Sequence, residues 1–275
     1  MPESSSLNTK VFMVGAACLV LGFVGGFFLA NGLNRQEQDR LRAEVTTLKA
    51  GGPAANATNS TQPNERSQPQ QAQASGDDSF PKLTDEQLAN AVSKADASPA
   101  DAELQRKVGQ ALYVYAWQTG NASILPDVAR ILKRAHELDP KDYKTTVMAG
   151  DVQFLIARSG GDTRPLAEAR RLYEAALAAK PDDAVVRTSL GLTYFYDAPP
   201  DPQRAIREYR RALQADPRQE MPLQSLAAAL VETGSFDEAG RRLDELEKLN
   251  PSNRELPNLR AQLEQKRNAS REGRR

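Results

Sequence analysis

Between residues 100 and 251 the apolar positions recur at spacings of three and four, in segments that come in pairs. The clearest pair is the stretch from 184 to 217, AVVRTSLGLTYFYDAPPDPQRAIREYRRALQADP. Leu190, Gly191 and Tyr194 share one helical face, and Ala205, Tyr209 and Ala212 share a face of a second helix that Pro217 stops. Gly191, Ala205 and Ala212 let the two helices approach closely, while Leu190, Tyr194 and Tyr209 fill the space beside the contact. One such pair cannot cover its own apolar faces, so the pattern calls for copies of itself. Pro99, Pro140, Pro181, Pro217 and Pro251 follow at intervals of 41, 41, 36 and 34 residues, and the last four close similar endings: RAHELDP, EAALAAKP, RALQADP and LEKLNP.

The pattern changes on both sides of this array. Residues 1–10 are polar, and Val11 to Ala30 is an uninterrupted apolar run, bracketed by Lys10 and Arg35. Twenty helical residues rise about 30 Å, the thickness of a hydrocarbon core, so residues 11–33 are expected to form a single transmembrane helix. A cleaved signal peptide is the rival reading; its apolar core would be shorter, and Ala30-Asn31-Gly32 is a weak cleavage site. Positive charges alone (Arg35, Arg40, Arg42) favour a cytoplasmic C-terminal part. The interleaved Glu37, Asp39 and Glu44 and the long polar segment beyond favour the opposite, with the array in the periplasm of a bacterial inner membrane. Gly22, Gly26 and Ala30 form a small-xxx-small stripe, which reads as a homodimer face or as the ordinary glycine content of a membrane helix.

Residues 34–49 follow as a short juxtamembrane helix with Leu41, Val45 and Leu48 on one side. Residues 50–79 hold almost no large apolar side chain and are expected to be a disordered linker that leaves the orientation of the folded part free. Its sequons at Asn56 and Asn59 are what chance supplies in so Asn-, Ser- and Thr-rich a segment. Residues 80–99 carry a capping box, Thr84-Asp-Glu-Gln87, opening an N-terminal capping helix. Beyond Pro251, Leu256, Leu259 and Leu263 mark a C-terminal capping helix within 100–268, and 269–275 is a basic tail.

Thirty-six basic and thirty-six acidic residues leave no net charge, so no nucleic-acid partner is implied. Cys18 is the only cysteine and lies in the apolar run, which excludes a disulfide framework or a thiolate metal site within one chain. The single histidine, His136, reads as a surface residue rather than a ligand. There is no GxxxxGK[ST], GxGxxG or GxSxG stretch and no Cys-His pair. The chain is therefore expected to be a non-enzyme without catalytic, metal or cofactor sites.

The paired helices resemble the tetratricopeptide repeat (TPR), a 34-residue unit with small residues in each helix and a closing proline. The first unit matches at Val108, Gly109 and Leu112, then Val128, Leu132 and Ala135. The second matches at Ala149 and Gly150, then Ala169, Tyr173 and Ala176; the third is the stretch described first. The fourth uses Leu223, Leu226, Ala227 and Leu230, then Ala239, Leu243 and Leu246, around a turn at Gly234. The family's first-helix tryptophan is absent, Val128 replaces an alanine, and units one and two carry seven extra residues between their small positions. About one added helical turn and a longer loop are expected to share that excess, with Trp117 packing across the lengthened pair.

The resemblance implies an all-α solenoid of about four helix pairs whose first helices line a groove. Its lining would be Arg106, Gln110, Tyr113, Val114, Val147, Asp151, Phe154, Leu155, Thr188, Leu192, Phe195, Tyr196, Met221, Gln224 and Val231. That set lacks the paired Lys and Asn residues of carboxylate-clamp TPR domains and suits a protein or peptide with large apolar side chains. It reads as a groove lining or, for Phe154, Leu155 and Phe195, as packing between repeats. One anchor, a tether and a TPR array together look like bacterial envelope assembly factors, among them the TPR subunits of cytochrome c maturation. A structural adaptor of a secretion, pilus or division complex is the alternative.

Overall fold

The computed structural model describes residues 35–49 and 82–273, and these form eleven α-helices and one 3-10 turn. In chain order they are α1 (Arg35–Lys49), α2 (Asp85–Ala97), α3 (Ala102–Thr119), α4 (Leu125–Leu138), α5 (Tyr143–Gly160) and α6 (Pro165–Ala179). Then come α7 (Ala184–Phe195), α8 (Pro202–Ala215), α9 (Glu220–Glu232), α10 (Phe236–Leu249) and α11 (Leu256–Glu272), with the 3-10 turn at Ala122–Ile124. Each of α3, α5, α7 and α9 packs on the helix after it, and each second helix packs on the next first helix. The fold is an all-α, TPR-like array of helix pairs. The expected transmembrane helix 11–33, its stripe at Gly22, Gly26 and Ala30, and the linker 50–79 lie outside the described residues, as do Arg274 and Arg275 of the tail. No helix of the described residues is long and apolar enough to cross a membrane.

Proline and aspartate punctuate the array. α2, α4, α6, α8 and α10 each end two residues before a proline, and the residue between adopts an extended-side backbone, as at Asp139 (φ −136°, ψ 84°) and Asn250 (φ −144°, ψ 92°). A proline ring clashes with the preceding residue in the helical region, so that residue must leave the helix. Two residues past Pro99, Pro140 and Pro181 stand Asp101, Asp142 and Asp183, and each carboxylate accepts from a backbone N–H of the next helix's first turn. Pro-x-Asp thus stops one helix and caps the next. At α2, Thr84 and Gln87 close a reciprocal capping box.

Within each of the first three pairs the helices meet at a glycine. A Cβ on Gly109 would lie 2.7 Å from the Leu132 side chain, and one on Gly150 would lie 2.8 Å from the Tyr173 ring. The fourth pair uses the fully buried Ala227 instead. The added turns of units one and two are real: α3 and α5 are 18 residues each, against 12 for α7 and 13 for α9. Gly120 and Gly161 end them in the left-handed region (φ 68° and 69°), a conformation glycine enters without a Cβ clash. The apolar side chains form two clusters, one from α1 to α6 and one from α5 to α11, and Trp117 packs against both.

His136 departs from the expectation of a surface residue. It is buried, and its Nδ1 lies 2.9 Å from the Thr146 hydroxyl of α5. Thr146 donates to the Asp142 carbonyl, so its oxygen accepts a proton carried on Nδ1. Burial, reinforced by the nearby Arg171 charge, holds the imidazole below its ordinary pKa.

Candidate partner-binding face

Successive first helices touch one another: α3 with α5, α5 with α7, α7 with α9, and α9 with α11. Among the second helices only α2 and α4 meet to a similar extent. The first helices are therefore on the inner side of the array, and this close approach covers much of the face they present.

Of the fifteen side chains expected to line the groove, ten are buried, among them Gln110, Tyr113, Asp151, Phe154, Thr188, Leu192, Met221 and Gln224. Their polar atoms are engaged inside the fold. Gln110 Nε2 donates to Thr145 Oγ1 at 3.1 Å, Thr188 Oγ1 donates to the Ala184 carbonyl at 2.7 Å, and Gln224 Nε2 donates to Asn253 Oδ1 at 2.7 Å. Val114 and Val231 are buried as well. Arg106, Val147, Phe195 and Tyr196 stay partly exposed, as does Leu155. In this conformation the partly exposed set is what a partner could reach.

Asp151 is the most unusual member of the buried set. Tyr113 of α3 and Tyr173 of α6 both donate their hydroxyls to its carboxylate, at 3.1 and 2.9 Å. Burial pushes its pKa up to about 7 against the opposing pull of the two phenols, and the Asp183 charge adds to the rise. The phenols are held well above their ordinary range by the same burial and by Asp151. Three helices thus share one buried carboxylate, an arrangement that specifies register between repeats one and two.

The accessible part of the face gathers around Tyr196, which caps α7. Its ring centroid is 5.2 Å from that of Phe195 in an edge-on geometry and 6.2 Å from that of Phe154. The Arg158 guanidinium stacks over it at 4.0 Å. Arg158 and Trp117 occupy equivalent places in the added turns of α5 and α3, each eight residues after the helix's close-packed glycine. Sequence reasoning missed Arg158. The available signal was its spacing of four from Phe154, which puts both on one face of α5.

The outer face has a cleft lined by Arg170, Arg171, Tyr194, Asp197 and Arg204, among others. Each arginine is paired there: Arg170 with Asp197 at 2.7 Å, Arg171 with Glu168 at 2.7 Å, and Arg204 with Asp201 at 3.3 Å. Its charge is internally compensated, which argues against an anion site. Among the described residues no group of three or more His, Cys, Asp or Glu side chains is placed to hold a metal ion.

Residues 201–263 match the tetratricopeptide repeat family model. No curated protein matches the chain in sequence. Among solved structures, YrrB, described as a TPR protein with an unusual peptide-binding site, aligns with a TM-score of 0.51 at 12% identity, covering 64% of this chain and 82% of that one. MamA (residues 41 to the end) from Desulfovibrio magneticus RS-1 aligns with a TM-score of 0.49 at 22% identity, covering 62% of this chain and 86% of that one. The match to the tetratricopeptide repeat covers residues 201–263, and the helix pairs before them stack in the same manner.

Proposed function

We propose that this chain is a membrane-anchored TPR scaffold that holds a partner protein or peptide on the inner face of the array. The observation that carries the reading is the partly exposed group formed by Arg158, Phe195 and Tyr196, together with Trp117. Aromatic rings and a stacked arginine are the side chains that anchor partners most strongly. The described residues offer no catalytic constellation, and helical repeat scaffolds of this type are typically non-enzymatic. YrrB, described as a TPR protein with an unusual peptide-binding site, lends the reading a parallel on the same fold.

The apolar run at residues 11–33 would anchor the chain once in a bacterial inner membrane, with the array on the periplasmic side. Within that setting the process we assign is envelope protein assembly, of which cytochrome c maturation is an example. Photoreactive residues placed at Trp117, Phe195 and Tyr196 in cells test the binding face. A discrete crosslinked partner from these positions, absent when the probe stands at exposed Lys133 on α4, is the expected result. Equal crosslinking from both faces, or from neither, would remove the reading. Recovery of crosslinked partners that include no c-type cytochrome or haem-ligation component would remove the assignment to cytochrome c maturation.

A further inference from the structure

α1 precedes the array and docks on its first edge, chiefly on α3. It lies along α3, as each first helix of the array lies along the next, and α2 packs against α3 and α4. Leu41 and Val45 of α1 are withdrawn from solvent into the cluster that holds Leu88, Val108 and Leu112, and Leu48 packs at its edge. Glu44, 21% exposed, bonds Arg40 at 3.4 Å and lies in the field of Arg106 and Lys107 on α3. Gln87 Nε2 of α2 donates to the Lys49 carbonyl at 2.5 Å, tying the end of α1 to the start of α2. Lys49 at the end of α1 and Leu83 just before α2 thus both belong to the same edge of the array.

A linker serving as the working connection would leave α1 apart from the array, whereas Leu41 and Val45 of α1 are buried in the cluster that holds α3. If residues 50–81 were the working connection, α1 would belong to the membrane side and the array would begin at α2. Instead the apolar stripe of α1 is consumed by α3. We infer that α1 is the element through which the array is attached to whatever precedes residue 35, and that residues 50–81 are bypassed as a connection. On the reading above that residues 11–33 span the bilayer, only Asn34 separates the anchor from α1. The array then stands on the membrane by its N-terminal edge rather than on a tether of about 30 Å.

The test uses the full chain with a specific protease site inserted within residues 50–81. After complete cleavage in isolated membranes, the fragment carrying α2–α11 is expected to stay in the membrane pellet. The same fragment from a chain carrying Val45→Asp is expected in the supernatant. Release from the unmutated chain as complete as from Val45→Asp would overturn the inference. A second readout keeps the membrane reading separate: in mild detergent the two cleaved fragments should comigrate on size exclusion, and Val45→Asp should separate them. If the uncleaved chain is itself absent from membranes, the anchor reading fails, while comigration still reports on the docking of α1. Amide exchange on the uncleaved chain guards against a variant that unfolds. Val45→Asp should raise exchange in α1 and leave α5–α10 protected.

Discussion

A Cβ on Gly191 would lie 2.5 Å from the Tyr209 ring, which is itself fully buried. Glycine in a helix interior ordinarily costs about 1 kcal/mol against alanine, so replacing it on an open face stabilises. At Gly191 the sign reverses, because the ring has no room to retreat and overpacking costs about 1–3 kcal/mol. Gly191→Ala and Gly150→Ala should each lower the thermal midpoint followed by circular dichroism. Gly160→Ala, where nothing lies within 4 Å of the added atom, should leave it level or raise it.

Asp151 makes a prediction about pH. Its folded pKa is raised to about 7, whereas an unfolded aspartate titrates near ~3.9. The folded state therefore binds more protons between those values, so this group's contribution to stability is greatest below about pH 4 and is lost as pH rises toward about 7. The swing is at most on the order of 4 kcal/mol. Asp151→Asn keeps a side chain that can bond both phenols but cannot ionise. Urea midpoints should be higher for Asp151→Asn than for the unmutated chain at pH 8, with the gap closing by pH 4.

Much of the fold was legible in the sequence because its signals are local. Prolines that evict the preceding residue from a helix, and glycines spaced from tyrosines, act within one pair. The Pro-x-Asp caps at Asp101, Asp142 and Asp183 are equally local, but it is the structure that shows their carboxylates on the next helix. The candidate face was harder to read, because periodicity says which side of a helix a residue occupies but not what covers it. Thr188, Met221 and Gln224 are on the first-helix face and are nonetheless buried, since neighbouring first helices and α11 close over them. His136 was misplaced by its charged neighbours, although it extends the Val128–Leu132 stripe by a further four residues. The packing of α1 could not be read at all, because Val108 and Leu112 on α3 lie far along the chain from Leu41 and Val45, beyond a polar segment.

The single histidine offers a direct check of this packing. With its pKa held below the ordinary value of about 6.5, His136 contributes stability that is present above that value and lost as pH falls through the folded pKa. Because no other histidine exists, its Cε1–H resonance is unambiguous in a proton NMR titration. The midpoint should lie below 6.5 in the folded chain and return toward it in urea. Thr146→Val, which leaves Nδ1–H without its acceptor, should destabilise the fold by about 1–3 kcal/mol.

The far end of the array should open on its own. α11 lays Leu256, Leu259 and Leu263 over the last pair, in the cluster that contains Leu230, Leu243 and Leu246. Without that cover the end of the solenoid would present its apolar surface to water, and no further repeat is available among the described residues to bury it. Leu259→Ala removes a side chain that is only 1% exposed, which costs about 2–5 kcal/mol. In a repeat array each unit is stabilised chiefly by its neighbours, so this loss should be local rather than spread over the chain. Amide exchange in Leu259→Ala should accelerate in α9, α10 and α11 while α4, α5 and α6 keep their protection. The break is expected near α8, where the pairing of α8 with α9 is the last interface untouched by α11. Uniform acceleration across all helices would show instead that the array unfolds as one unit, and that α11 stabilises distant repeats as strongly as its own neighbours.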